Sequence, residues 1–197
     1  MPDHRYPTVE EFWQRLEDRE VEPDLRRALR DRTTRGRDGP SRLPAATVVA
    51  VAARLTPGAV PPEAQAAFLD EHYDRQLGRG DDKAGVLPRR ELIPAGFAAL
   101  EGSAHAEHGA AFARLPAEAQ DELLTRAERG RLPGPDGFDS ATWFRRTRGL
   151  LLLAYGSDPR GMVEMGFPGP SYRPGHLWLD EGEVAARAGR RRGYRVL

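Results

Sequence analysis

The sequence predicts an all-α fold, an irregular bundle of about six helices with a long, ordered Gly/Pro-rich coil near its C-terminus. Apolar residues recur at three- and four-residue spacing in one stretch after another. Proline and glycine punctuate the ends of those stretches, and no segment alternates with β-branched residues as a strand would. With 197 residues, the chain suffices for one domain with a substantial core and is short for two independent ones. We divide it into residues 1–43, an N-terminal amphipathic helix and basic linker, and residues 44–197, the helical domain.

Thr8 followed by Glu11 matches a capping box, and Val9, Phe12, Trp13 and Leu16 follow at helical spacing. That helix needs a surface to dock on. Residues 26–42 hold seven arginines and two acids, broken by Gly36, Gly39 and Pro40, and read as a short helix passing into a basic linker. The second strong helix follows Pro44, places Val48, Val51 and Leu55 on one side, and stops at Thr56-Pro57-Gly58. Another opens at Pro61-Pro62-Glu63 and runs to Leu77, with Gly78 beyond it.

The spacing next predicts a helix from Arg89 to His108 with Ile93, Phe97, Leu100 and Ala104 inward and Gly109 as its stop. Leu115 to Arg129 reads as a helix with Pro116 in its first turn and Leu123, Leu124 and Ala127 inward. Asp139 or Ser140 can cap the last strong helix, whose Trp143, Thr147, Leu150 and Ala154 share a face. Its Leu150-Leu151-Leu152-Leu153 block makes it apolar nearly all round, which places it at the bundle centre. From Gly156 to His176, Gly and Pro fill nine positions among Met162, Val163, Met165, Phe167 and Tyr172. We expect an ordered coil there, covering the core or a partner.

Thirty basic side chains balance thirty acidic ones, so no global field favours nucleic acid or membrane. There is no cysteine, which excludes disulfides, iron–sulfur clusters and thiol catalysis. No leader of basic and apolar regions opens the chain, and its longest apolar runs are far short of the roughly 20 residues a spanning helix needs. The expectation is a cytoplasmic protein without membrane insertion.

Candidate chemistry is sparse. His105-x-x-His108, with Glu101 one turn earlier and Asp70, His72 and Asp74 on a neighbouring helix, is the arrangement closest to a metal site. Di-iron bundles require paired Glu-x-x-His motifs on two helices, and the sequence lacks that repeat, so we expect no metal and solvated helix-end histidines. No phosphate-cradling Gly-rich loop or nucleophile elbow appears, and we expect no catalytic residue. The arginines of residues 26–42 and of the tail (Arg187, Arg190, Arg191, Arg192, Arg195) could meet phosphates, but without interleaved aromatics we expect no nucleic acid binding. The rival readings are a helical metal-dependent oxidoreductase using His105 and His108, and a regulator that binds through its arginine segments.

From Val48 onward the chain resembles the family named for subunit 3 of gluconate 2-dehydrogenase. The resemblance rests on Arg54-Leu55-Thr56-Pro57 followed by Gly58-Ala59, on Phe68-Leu69-Asp70, and on His108-Gly109 to Phe112 and Leu115-Pro116 leading to Gln120 and Leu123-Leu124. It rests above all on Tyr155-Gly156-Ser157-Asp158-Pro159 and Met165-Gly166-Phe167-Pro168-Gly169-Pro170-Ser171-Tyr172. The resemblance implies a helical, non-catalytic small subunit with no cofactor of its own. Its partner would be a large FAD-bearing subunit of the glucose-methanol-choline type that oxidises a sugar or alcohol. Many relatives carry a twin-arginine export signal and some work with a cytochrome c subunit; lacking that signal, this chain is expected to do neither.

Two segments are candidate partner contacts. The first is Phe12 and Trp13 of the N-terminal helix. The second is Met165, Gly166, Phe167, Pro168, Gly169, Pro170 and Tyr172, where prolines lower the ordering cost of a coil and the aromatics supply burial. The same run reads equally well as a plug for the chain's own core.

Overall fold

Proline opens most helices of the core. In a computed structural model, which describes residues 8–17, 26–30, 41, 43–73 and 85–166, Pro44, Pro61, Pro88 and Pro116 stand at the N-caps of α2 (Ala45–Leu55), α3 (Pro62–His72), α4 (Arg89–His108) and α5 (Ala117–Glu128). Each lacks the N–H that a helix start would orphan, and each carbonyl accepts a first-turn bond, from Val48, Gln65, Leu92 and Gln120 respectively. A 3₁₀ turn, Phe112–Arg114, links α4 to α5.

Capping carboxylates open the remaining two core helices, α6 (Ser140–Ser157) and α7 (Pro159–Glu164). Asp139 Oδ1 accepts from the N–H groups of Ala141 (3.0 Å) and Thr142 (3.2 Å), while its Oδ2 accepts from the Thr142 hydroxyl (2.6 Å). Ser140, weighed as the alternative cap, instead accepts from Leu132 N–H at 3.3 Å. The Thr142 hydroxyl, followed by the two backbone N–H groups and Arg145, holds the Asp139 carboxyl below the usual carboxylate range. A lowered folded pKa contributes stability that is fully present above about pH 4 and lost as pH falls through the lowered value. Asp139→Ala is therefore expected to cost about 1 kcal/mol in urea denaturation at neutral pH. The gap to wild type should shrink below about pH 4; a gap that stays constant would count against the cap.

The core lies between α2, α3, α4, α5 and α6, with α6 packed on α3, α4, α5 and α7. Trp143, fully buried on α6, stands edge-on to Phe97 with ring centroids 5.3 Å apart. Its Nε1 donates to the Ile93 carbonyl at 3.2 Å. Gly96 makes the crossing possible, since a Cβ there would stand 2.1 Å from the indole ring. Gln65 and Gln120 act as paired clamps: each buried amide nitrogen donates to two backbone carbonyls, those of Thr56 and Val60 and those of Phe112 and Leu115. Both turns thereby satisfy carbonyls that burial would otherwise orphan.

The all-α expectation holds among the described residues, which contain no strand. Three details differ from the sequence reading. Leu152 and Leu153 are 51% and 47% exposed, so the four-leucine block does not lie wholly inside. Each residue turns a helix by about 100°, so four consecutive side chains encircle it and cannot all face one core. Residues 159–164, read as coil, form α7, because Asp158 caps it and Pro159 occupies its first position. The helix opening at Pro62 ends at His72, ahead of Leu77, which lies outside the described residues together with the Gly/Pro-rich coil beyond Gly166.

Candidate partner interface

The N-terminal helix α1 (Val9–Glu17) forms with the expected capping box: Thr8 N–H donates to Glu11 Oε2 at 2.6 Å, and Glu11 N–H donates to Thr8 Oγ1 at 3.1 Å. It docks within the chain, on α7. Phe12 is fully buried beside Leu29, with Trp13, Met162 and Val163 packed around the pair. Phe12 thus offers no surface to a second molecule in this arrangement. Trp13 stands edge-on to Phe12 at 5.7 Å and stays half-buried. Met165 is 60% exposed and Gly166 half-buried, whereas Phe167, Pro168, Gly169, Pro170 and Tyr172 lie outside the described residues.

The structure joins two motifs that are far apart in sequence. Gly58 has φ +149°, and a Cβ there would stand 2.1 Å from the Tyr155 hydroxyl. Ala59 N–H donates to Tyr155 Oη at 3.0 Å and to Glu164 Oε2 at 2.8 Å, while the Tyr155 hydroxyl donates to Glu164. Gly161 completes the approach, since a Cβ on it would lie 2.1 Å from the Tyr155 carbonyl oxygen. Asp158, buried, accepts from Arg160 N–H and from both Nε and Nη2 of Arg160 at 2.7–2.9 Å. These residues tie α6, α7 and the turn after α2 together. The spacing of Gly58-Ala59 and of Tyr155-Gly156-Ser157-Asp158-Pro159 thus has a structural cause.

Of the residues weighed as metal ligands, Glu101, Asp70 and His72 are committed to the fold, His105 and His108 are exposed, and Asp74 lies outside the described residues. Glu101 accepts from Phe112 N–H at 3.1 Å and from the Thr47 hydroxyl, and only then comes within 3.9 Å of the exposed His105. Asp70 accepts from Leu43 N–H and the Ser41 hydroxyl, each at 3.1 Å. His72 stacks on Phe68 with centroids 3.9 Å apart, and its Nδ1 lies 2.9 Å from the Phe68 carbonyl. Among the described residues, no group of three His, Asp or Glu side chains is placed to hold a metal ion. Of the basic segments, Arg30 pairs with Glu17 at 2.5 Å, and the arginines beyond position 30 in the linker and tail lie outside the described residues.

Three large apolar side chains also remain at the surface. Leu152, Leu153 and Met165 are the large hydrophobic side chains exposed among the described residues. The Met165 methyl lies 3.4 Å from where a Cβ on Gly156 would stand, one turn beyond Leu152 and Leu153, so the three make one patch. No helix among the described residues is long and apolar enough to cross a membrane. The family model for gluconate 2-dehydrogenase subunit 3 matches residues 44–169. The chain belongs to that family. The match opens at the cap of α2 and closes just past α7, so it takes in the whole bundle and the Gly58–Tyr155–Glu164 tie, while α1 lies outside it. As a member of the subunit 3 family, the chain is by description one component of a larger dehydrogenase. No curated protein and no solved structure matches the chain.

Proposed function

We propose that this chain is a non-catalytic accessory subunit that binds and stabilises, or helps mature, an FAD-bearing large subunit of the glucose-methanol-choline type, which oxidises a sugar or alcohol. Membership of the subunit 3 family carries the reading. Two features support it. The polar side chains that could have formed a site, Glu101, Asp70, Glu164 and Tyr155, are each engaged in holding backbone N–H groups or one another. The surface, by contrast, keeps large apolar groups in water on a bundle that is otherwise well buried. Such a division suits a molecule that meets another protein better than one that performs chemistry.

Tagged purification from the native cell under gentle conditions tests the proposal. The expected eluate shows flavin absorption and a second, larger chain. A colourless single species would overturn the reading.

A further inference from the structure

We infer that the outward face of α6, running from Arg145 and Arg148 to Leu152 and Leu153 and on to Met165, is the surface that meets the large subunit; this rests on the accessory-subunit reading. Helical spacing places Arg148 one turn before Leu152, and Arg145 one turn before Arg148 and Gly149, so the four α6 side chains form one strip, which Met165 extends at Gly156. All five are exposed. The strip changes character along its length, cationic at the start of α6 and apolar at its end. In a chain with thirty acids and thirty bases, α6 carries Arg145, Arg146 and Arg148 and no acid, which makes this face locally positive. Of the carboxylates near it, Asp139 beside Arg145 is engaged by Thr142 and by the Ala141 N–H, and Glu164 by Ala59 N–H and Tyr155.

The occupant is specified by this chemistry. It presents an apolar recess for two leucines and a methionine, bordered on one side by carboxylates that meet Arg145 and Arg148. Arg145 is already oriented, its Nη2 donating to Thr142 Oγ1 at 3.0 Å, so less side-chain freedom is lost when it pairs. Glycine at 149 leaves open space between the two halves, where a partner backbone can come close. A membrane surface is the poorer fit, because among the described residues no exposed Trp or Phe accompanies these leucines to anchor at an interface.

The test compares the full-length wild type with Leu152→Gln/Leu153→Gln and with Arg145→Gln/Arg148→Gln, each titrated with the purified FAD-bearing chain that accompanies the wild type. Glutamine keeps helix propensity and sheds apolar area. The leucine pair is expected to weaken binding about tenfold or more, while the melting temperature of the isolated chain stays within about 3 °C of wild type. The arginine pair should remove most of the weakening that about 0.5 M salt produces in the wild type.

Unchanged affinity in the leucine variant, with the wild type still binding, overturns the surface and leaves the accessory reading standing. Failure of the wild type to bring down any FAD-bearing chain overturns both. A wild-type dimer that the leucine variant dissociates in sedimentation assigns the face to a second copy. A steep fall in the isolated variant's melting temperature assigns it to the chain's own residues. Leucine-dependent sedimentation with anionic phospholipid vesicles assigns it to a membrane. Each of these three results overturns the proposal.

Discussion

Trp143→Ala is expected to remove about 3–5 kcal/mol of folding stability, a large share of the 5–15 kcal/mol available to a typical domain. The indole is fully buried, lies edge-on to Phe97 and donates to Ile93, so its loss leaves a cavity against two helices and an unmatched aromatic edge. Filling the same contact from the other side should also be costly. In Gly96→Ala the new methyl meets the ring at 2.1 Å, and about 1–3 kcal/mol of overpacking outweighs the roughly 1 kcal/mol that alanine gains over glycine within a helix. Gly102 lies on the same helix with open space around it, and Gly102→Ala should stabilise by about 0.5–1 kcal/mol. Urea denaturation of the three variants checks the set. Equal, mildly favourable effects at both glycines would mean that the ring does not sit on α4.

Gly58→Ala is expected to destabilise by about 2–4 kcal/mol, combining a backbone conformation that L residues avoid with a collision against Tyr155 Oη. A double-mutant cycle separates the two causes. Tyr155→Phe alone removes a hydroxyl that serves both Ala59 and Glu164 and should cost about 1 kcal/mol, since Glu164 still accepts from Ala59. In the Tyr155→Phe background the penalty at Gly58 should fall by about 1 kcal/mol, because the colliding oxygen is gone while the strained φ persists. Strict additivity would show that the hydroxyl does not press on Gly58.

Local rules made most of the bundle legible. Proline marked the start of three helices, the Thr8/Glu11 pair marked α1, and the Asp139-Ser140 pair marked α6, whereas Pro88 before α4 is a signal of the same kind that the sequence reading does not use. The short helix after Asp158 was obscured because glycine and proline density argues for coil, whereas an aspartate cap followed by proline was the stronger signal. The exposed leucines were legible in principle from helix geometry alone. The contact between Gly58 and Tyr155 was not, since nothing in the periodicity of either segment specifies which distant turn it faces. For the same reason Phe12, read as a contact for another molecule, is found against Leu29 and α7: an amphipathic face specifies that it will be covered and leaves open what covers it.

The tie at Glu164 also bears on the order in which the molecule is made. Ala59 and Glu164 are separated by 105 positions, and α1 meets α7 across an even longer span, so neither contact can close until almost all of the described chain has left the ribosome. The pairing of α2 with α3 is local and is available early. Met165 follows directly on α7 and therefore takes its place among the last features to be set. On the interface proposed above, a partner that reads this edge of the bundle would recognise chains whose bundle has closed and pass over nascent ones.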